Sequence, residues 1–286
     1  GSTEALRLIF DTYLNDEDYV LFPVPSYSNA LNLLKMSSKH IHIIRALEIQ
    51  DIKEALNNTF FKLIYLTSPN NPTGYIIEPS DIKFLAKQYP STFFVIDGCY
   101  IEYDENSLIY DIDLPNVIIV RTFSKAFGLA GLRIGYMYSR ADTTAKLAIL
   151  RDPHLPTEIA KQAAYVALIN ITEYRLIWKE MRENRKWFMN ELSKRNILVN
   201  HDSKGMFIMA KLTKCSNSEL SKYLIENHGI LIKVLKGEIF GLDNNNYIRI
   251  GISNRQNLTK LLTAIDTFIQ IGFAYPTPKT KTALFS

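Results

Sequence analysis

Short apolar runs alternate with amphipathic segments from the beginning of the chain to Tyr138. The runs are rich in Val, Ile, Leu and aromatic residues and contain few polar ones, which is typical of strands that are buried on both faces. Because helical segments separate them, we predict an α/β fold with a mostly parallel sheet between two layers of helices. The predicted strands are Tyr19–Phe22, His42–Ile44, Lys62–Leu66, Phe93–Ile96, Val117–Val120 and Ile134–Tyr138.

The intervals between these strands repeat apolar positions every three or four residues, which is the period of an α-helix. A hydroxyl-bearing cap at Ser2 and Thr3 begins the first helix, which runs to about Leu14. The other predicted helices are Asn29–Met36, Asp51–Asn57, Pro79–Lys87, Asp142–Leu150, Thr157–Ile169 and Glu173–Lys194.

The order of elements changes after Lys194, where strands and helices no longer alternate regularly. We therefore divide the chain into a large domain at residues 1–170, a small C-terminal α+β domain at 171–272 and a tail or linker at 273–286. The small domain is predicted to contain strands at Met206–Leu212, Ile230–Val234 and Tyr247–Ile252, and helices at Asn217–Glu226 and Asn254–Ile269.

Composition narrows the class of protein. The 286 residues are 47% hydrophobic, which is enough for one or two domains, and the net charge of +4 arises without a basic run, so we predict no nucleic-acid partner. No apolar run approaches the roughly 20 residues that span a bilayer, and the opening residues predict no signal peptide. The two cysteines, Cys99 and Cys215, lie in apolar surroundings and favour a reduced cytoplasmic protein. We assign no metal site.

Polar residues collect just past the carboxyl ends of three predicted strands: Asn71, Asp97 and Lys125. Ligands of open α/β sheets bind at the carboxyl ends of the strands, so these side chains can face one pocket. The segment Thr122–Arg133 adds hydroxyl and guanidinium donors, which suit a phosphate, to the amine of Lys125, which suits a carbonyl compound. The alternative for this segment alone is a polar loop with a solvated lysine.

Four sequence motifs occur in order along the chain: SPNNPTG at residues 68–74, DGCY at 97–100, TFSKAFGLAGLR at 122–133 and YIRIG at 247–251. This ordered set resembles the class I/II aminotransferases of fold type I, which use pyridoxal phosphate (PLP). The nearest branch looks like histidinol-phosphate aminotransferase and its relative threonine-phosphate decarboxylase, and the resemblance extends from Gly1 to about Ile269. It implies PLP as cofactor, a small amino acid or amino-phosphate and a 2-oxo acid as substrates, and a homodimer.

The resemblance assigns the catalytic groups. Lys125 corresponds to the lysine that forms a Schiff base with the cofactor aldehyde and moves the Cα proton of the substrate. Asp97 corresponds to the carboxylate that keeps the pyridine nitrogen protonated. Asn71 and Tyr100 correspond to the residues that contact the phenolic oxygen of the cofactor. Without the resemblance, the alternatives are a strand-end cap or a surface turn for Asp97, a turn residue for Asn71 and a half-buried core tyrosine for Tyr100.

The remaining assignments concern the cofactor ring, its phosphate and the substrate. Tyr27 fits the aromatic residue that stacks on the ring. Arg249 matches the arginine that binds the substrate carboxylate through two parallel hydrogen bonds, although a lone strand arginine is usually an ion-pair or edge residue. The phosphate is expected to bind at the first helix and the lysine loop, through Ser2, Thr3, Thr122, Ser124 and Arg133.

The sequence departs from the family pattern in two places. Members of the family carry a further N-terminal segment before the first helix, so we expect an incomplete small domain and a phosphate site that is open on one side. The Asp-Glu-Ala-Tyr of the family is Asp97-Gly98-Cys99-Tyr100 here, which alters only the two spacers. Two alternatives to transamination stay open: decarboxylation of a phosphorylated amino acid such as threonine or serine phosphate, and a truncated non-catalytic domain.

Overall fold

The computed structural model describes residues 1–46, 48–104, 112–242 and 246–271. The larger of its two sheets has six strands in the order β2-β1-β3-β4-β5-β6. Every neighbouring pair is parallel except β5 and β6, which are antiparallel, so the predicted mostly parallel sheet is confirmed. The strands are β1 (Tyr19–Val24), β2 (His40–Arg45), β3 (Leu63–Thr67), β4 (Phe93–Asp97), β5 (Val117–Thr122) and β6 (Gly135–Tyr138).

Helices cover both faces of this sheet because its strands are apolar on both faces. Along β3, Leu63 and Tyr65 point into one core while Ile64 and Leu66 point into the other. The first core lies under α1 (Ser2–Tyr13), α2 (Ser28–Ser37) and α5 (Ala141–Ile149), and the second lies under α3 (Ile49–Asn58) and α4 (Pro79–Gln88). Two further helices follow, α6 (Glu158–Ile169) and α7 (Ile171–Lys194).

The second sheet is antiparallel and has the order β7-β8-β10-β9. Its strands are β7 (Leu198–Val199), β8 (Phe207–Lys211), β9 (Lys233–Leu235) and β10 (Tyr247–Gly251), and its helices are α8 (Asn217–His228), α9 (Gly237–Phe240) and α10 (Arg255–Gln270). Side chains from α7, α8 and α10 share one hydrophobic core with the sheet. The predicted α+β pattern is therefore present here. None of the helices in the described residues combines the length and the apolar character that a bilayer-crossing helix needs.

The strand that we predicted to begin at Ile230 begins at Lys233 instead. Gly229 ends α8 in the left-handed conformation, and the N–H of Ile230 bonds back to the carbonyl of Leu224. This helix-ending motif occupies the backbone that would otherwise start the strand. The short elements β7 and α9 were not predicted from the sequence. The predicted tail at 273–286 lies outside the described residues.

The long helix α7 connects the two sheets. Near its beginning, the indole N–H of Trp178 donates to the Ala126 carbonyl at 2.8 Å, in the loop after β5. Towards its end, Phe188 and Leu192 lie in the core of the second sheet. Between them, Arg185 donates to the Gly205 carbonyl at 2.7 Å, just before β8. One rigid helix thus holds both sheets, and the predicted domain boundary at residue 171 stays a prediction.

A second connection joins the turn after β3 to the turn before β8. The N–H of Lys204 donates to the carbonyl of Gly74 at 2.8 Å. Gly74 has a φ of +74°, and a Cβ at this position would overlap the Ser203 hydroxyl and come within 3.1 Å of the Ser203 α-carbon. Only glycine therefore allows the two turns to approach this closely.

Replacing Gly74 with Ala should destabilise the protein more than the same change at Gly229. Gly229 has a φ of +62° but open space around it, so Gly229→Ala carries only the left-handed strain of about 1–2 kcal/mol. Gly74→Ala adds an overlap with Ser203 to that strain. Urea denaturation of both variants measures the difference, and equal losses of unfolding free energy would contradict the close contact between the turns.

Candidate functional site

The parallel register brings the ends of three strands to one edge of the large sheet. Thr67 at the end of β3 pairs with Asp97 at the end of β4, and Asp97 pairs with Val120 near the end of β5. A cavity of about 560 Å³, counted up to its open mouth, lies at this edge. Its walls include all ten residues that we predicted to contact the cofactor: Ser2, Thr3, Tyr27, Asn71, Asp97, Tyr100, Thr122, Ser124, Lys125 and Arg133.

One end of the cavity is rich in hydrogen-bond donors. Ser2 and Thr3 occupy the first two positions of α1, where backbone N–H groups have no acceptor within the helix. Thr122 accepts the N–H of Ser124 at 3.1 Å, and the Arg133 guanidinium lies 3.5 Å from the Ser124 hydroxyl. This end combines a helix N-terminus, hydroxyls and a guanidinium, which is a suitable set for an anion.

A glycine allows these donors to come together. A Cβ on Gly135, the first residue of β6, would lie 2.8 Å from the backbone nitrogen of Ser2 and 2.7 Å from the carbonyl oxygen of Arg121. Both neighbours are backbone atoms and cannot move aside easily. Gly135 therefore lets the start of α1 lie against the β5–β6 pair, which brings Ser2 next to Arg133 and Thr122.

The floor of the cavity contains a buried carboxylate. Asp97 is 6% exposed. Its Oδ2 accepts the hydroxyl of Tyr65 at 2.7 Å, and its Oδ1 accepts the backbone N–H of Cys99 at 3.1 Å. Among the described residues, no cationic side chain lies within ion-pair distance of Asp97. A buried charge with only neutral donors is suited to a cationic ligand group.

Lys125 and Tyr100 lie on the side of the cavity that faces the second sheet. The Lys125 amine is 5.7 Å from the centre of the Tyr100 ring. Tyr100 in turn meets the ring of Phe207 edge-on, with 5.0 Å between the centroids. Burial raises the pKa of Tyr100 above its ordinary value although Arg249 opposes the shift, so its hydroxyl stays protonated at neutral pH.

Arg249 lies in an adjoining cavity that shares Tyr100, Ser124 and Lys125 with the first. Its guanidinium donates to the Asn71 side-chain oxygen at 2.6 Å and lies 5.1 Å from the Phe207 ring centre. This hydrogen bond joins β10 of the second sheet to the SPNNPTG turn of the first. The structure therefore brings the eleventh predicted residue to the same site.

The comparison with protein families identifies the chain. Residues 1–265 match the family model described as aminotransferase class I and II. The chain belongs to the class I and II aminotransferase family. This match confirms the predicted family, enzyme class and type of fold. Members of the family depend on pyridoxal phosphate.

Individual relatives of this aminotransferase agree with that assignment. It is 32% identical over 282 residues to histidinol-phosphate aminotransferase of Buchnera aphidicola subsp. Schlechtendalia chinensis, a match that covers 93% of the chain and 76% of the relative. The structure of L-threonine-O-3-phosphate decarboxylase from Porphyromonas gingivalis has a TM-score of 0.82 and 26% identity, and covers 94% and 82%. Histidinol-phosphate aminotransferase from Sinorhizobium meliloti, solved with pyridoxal-5′-phosphate, has a TM-score of 0.81 at 23% identity, covers 93% and 74%, and supports the fold alone.

Several residues that support or extend the aminotransferase site were missed from the sequence, among them Tyr65, Lys233 and Asn70. Tyr65 lies in an apolar strand and carried no motif. Lys233 lines the adjoining cavity and pairs directly with Arg249 across β9 and β10, which only the strand register shows.

Asn70 stands beside Asn71 in SPNNPTG, and the doubled asparagine was the available signal. Its amide donates to the Pro25 carbonyl and the Thr67 hydroxyl at 2.9 and 2.7 Å, and it thereby fixes the turn that presents Asn71.

A buried ion pair supports the loop that carries Tyr100. Arg121 of β5 donates to Glu102 at 2.6 Å, and their side chains are 3% and 6% exposed. Burial raises the pKa of Glu102 although Arg121 opposes the shift. The pair ties the turn after β4 to β5, close to Asp97 at the end of β4 and to the loop after β5 that carries Lys125.

Proposed function

We propose that this aminotransferase binds PLP in the cavity at the strand ends and transfers an amino group between an amino acid or amino-phosphate and a 2-oxo acid. The observation that supports the proposal most strongly is the convergence of an amine, a buried carboxylate, a donor-rich end and an adjoining guanidinium at one edge of the sheet. The proposal assigns a separate chemical task to each of these groups.

The residues present fit PLP in charge, because a donor-rich end suits its phosphate and a buried carboxylate suits its ring nitrogen. Arg133, with Ser2, Thr3, Thr122 and Ser124, would hold the phosphate dianion. Asp97 would hold the protonated ring nitrogen, because the cavity floor leaves its charge without a cation. Tyr27 would cover the ring face, since its side chain lines the same cavity.

When bound, PLP supplies an aldehyde that captures amines and a ring that withdraws electrons from the bonds at the substrate Cα. In this chain, the Lys125 amine would hold the cofactor aldehyde until the substrate amine takes its place. The released amine would then carry the Cα proton as general acid and base. Tyr100 and Asn71 would contact the phenolic oxygen of the cofactor. The Tyr100 hydroxyl can donate there because burial keeps it protonated.

Arg249 would hold the substrate carboxylate. The planar guanidinium can donate two parallel hydrogen bonds, and its present bond to Asn71 places it at the boundary between the two cavities. Substrate bound there would extend from Arg249 towards Lys125, which lines both cavities.

The adjoining cavity favours a substrate with an anionic group. Lys233 lies opposite Arg249 in the ladder, so the two cations are cross-strand neighbours. Met206, Phe207, Leu231 and Ile232 supply an apolar wall beside them. This combination suits an amino-phosphate with a hydrophobic body. Because relatives are named histidinol-phosphate aminotransferases, histidinol phosphate is the first amino donor to assay. The first amino acid and 2-oxo acid to assay with it are L-glutamate and 2-oxoglutarate.

Decarboxylation is the second candidate, because the structural neighbour from Porphyromonas gingivalis carries that activity in its name. The same side chains would serve both reactions. The bond at Cα that lies perpendicular to the cofactor ring is the bond that breaks. The substrate-binding cations would set the orientation of the substrate and would thereby select the reaction. Amino transfer and carbon dioxide release from O-phosphothreonine can be assayed side by side.

We also propose that the aminotransferase is a homodimer. Helix α6 buries only small residues, Ala160, Ala164 and Ala167, and turns large apolar residues outward. The exposed fractions of these side chains lie between 50% and 75%, which is unusual for a helix that faces only water. A second copy would cover this face, which consists of Ile159, Tyr165, Val166, Leu168 and Ile169.

A cytoplasmic location is part of the same proposal. Both cysteines are free. Burial raises the pKa of Cys99, and it raises the pKa of Cys215 to about 11, so both thiols stay protonated and weakly reactive at neutral pH. Thiols of this kind suit a reducing compartment.

The Lys125 assignment predicts where PLP becomes attached. Borohydride reduction of the PLP-loaded wild type should add the cofactor mass to the peptide that contains Lys125. The loaded wild type should also convert L-glutamate to 2-oxoglutarate without releasing carbon dioxide. Lys125→Ala should keep the fold, because the side chain is exposed, and should lose both the adduct and the conversion. Lys146→Ala, a change at an exposed lysine of α5, is the matched control. An adduct on another lysine would show that the assignment is wrong.

The Arg249 assignment predicts a separation between substrate and cofactor binding. Arg249→Lys keeps the charge but loses the planar fork, so the KM for L-glutamate should rise about tenfold or more, as expected for losing one hydrogen bond between charged groups. The dissociation constant of PLP should change far less than this KM, because Arg249 lies outside the cofactor cavity and contacts it only through Asn71. Arg255→Lys, on the exposed start of α10, should change neither quantity. A parallel loss of PLP affinity would contradict a role confined to the substrate.

The dimer proposal predicts the effect of charge on α6. Wild type should show twice the chain mass in light scattering after size exclusion, while Val166→Asp combined with Ile169→Asp should shift it to the mass of one chain. Met36→Asp is the control, since Met36 is 81% exposed on a different helix. A monomeric wild type, or a double variant that stays dimeric, would exclude this face as the interface.

A further inference from the structure

Tyr65 is a fully buried tyrosine in the central strand β3. Its ring stacks on Phe22 with 5.5 Å between centroids and an interplanar angle of 4°, and it meets Phe10 edge-on at 6.4 Å. Both neighbours are hydrocarbon rings, so packing alone would be served equally well by phenylalanine. A phenol hydroxyl at such a position is unfavourable unless it has a hydrogen-bond partner.

The partner of that hydroxyl is the Asp97 carboxylate. Tyr65 lies opposite Val95 in the β3–β4 ladder, two residues before the Thr67–Asp97 pair, and therefore on the same face of the sheet as Asp97. The hydroxyl donates to Oδ2 at 2.7 Å. Burial, with the nearby charge of Asp97 as a second cause, raises the pKa of Tyr65 well above its ordinary value. The group is consequently a permanent donor at neutral pH.

The geometry leaves Asp97 with capacity for a further partner. A carboxylate offers about four lone-pair sites. Tyr65 takes one on Oδ2 and the Cys99 N–H takes one on Oδ1. Both donors are neutral, so they fix the plane of the carboxylate and stabilise its charge without cancelling it. A lysine or arginine in place of Tyr65 would compete with any cation that Asp97 is to bind.

We propose that Tyr65 is a positioning residue that acts through Asp97: its hydroxyl orients the carboxylate and preserves its negative charge for the protonated ring nitrogen of the cofactor. This inference rests on the proposed binding of PLP with its ring nitrogen at Asp97. It assigns to a core residue of the sheet a specific electrostatic task in the cavity. Tyr65 itself does not line the cofactor cavity.

The test compares two cofactors that differ only at the ring nitrogen. Dissociation constants are measured by absorbance titration for PLP and for the analogue in which C–H replaces that nitrogen, with wild type and Tyr65→Phe. Tyr65→Phe should weaken PLP on the order of tenfold, the effect of one hydrogen bond to a charged group, and should leave the affinity for the analogue within about twofold of wild type. A purely structural role of the hydroxyl would weaken both cofactors equally.

Tyr223→Phe is the matched control. Tyr223 is 4% exposed in the core of the second sheet, and its hydroxyl lies 3.2 Å from the His228 ring nitrogen, so this variant also loses a hydrogen-bonded phenol from a hydrophobic core. It should bind both cofactors like wild type. Near-ultraviolet circular dichroism verifies that each variant is folded.

A second measurement uses Asp97→Asn. If Tyr65 acts through the carboxylate, adding Tyr65→Phe to Asp97→Asn should weaken PLP no further, whereas independent effects would multiply. Equal losses for PLP and its analogue in Tyr65→Phe, no loss for PLP, or multiplying effects in the double variant would each overturn the inference while the wild type still binds PLP. A wild type that binds neither cofactor would overturn the proposed function itself, and the inference with it.

Discussion

The parallel ladder through β3, β4 and β5 is the constraint on which the rest of the site depends. Its register pairs Thr67 with Asp97 and Asp97 with Val120, so the three strands end at one level. The turns that follow these strands therefore lie above the same edge of the sheet. A slip of one residue in β4 would turn Asp97 to the opposite face. The sheet therefore fixes the level from which the loops of the site begin.

The two cavities carry more positive than negative charge. Lys125, Arg133, Arg249 and Lys233 line the space, while Asp97 is the carboxylate at its floor. Like charges repel, and water screens part of this repulsion because Lys125, Arg133 and Lys233 are exposed and Arg249 is half-buried. A phosphate dianion near Arg133 and a carboxylate near Arg249 would relieve it. The contact between Arg249 and the neutral Asn71 offers partial compensation and leaves the guanidinium charge available for a substrate.

The sequence predicted those parts of the protein that depend on local pattern. The strands of the large sheet were predicted correctly because continuous apolar runs such as Val117–Val120 are typical of buried strands. Seven of the ten predicted cavity residues lie in three of the sequence motifs, which kept them together along the chain. Lys233 and Tyr65 were missed because their importance depends on partners in other strands, Arg249 and Asp97. The start of β9 was misplaced because the hydrogen bond that ends α8 takes the N–H of Ile230, which composition does not show.

The two sheets supply different groups to the site, and this difference bears on the choice between amino transfer and decarboxylation. The large sheet supplies the groups proposed for the cofactor, and these would be the same for either reaction. Under the proposed assignments, Arg249 and Lys233, on adjacent strands of the small sheet, would set the orientation of a bound substrate. Asn71 connects the two sets through Arg249, and α7 fixes their separation through Trp178 and Phe188. With these proposed roles, a change of reaction type would require changes in the small sheet alone.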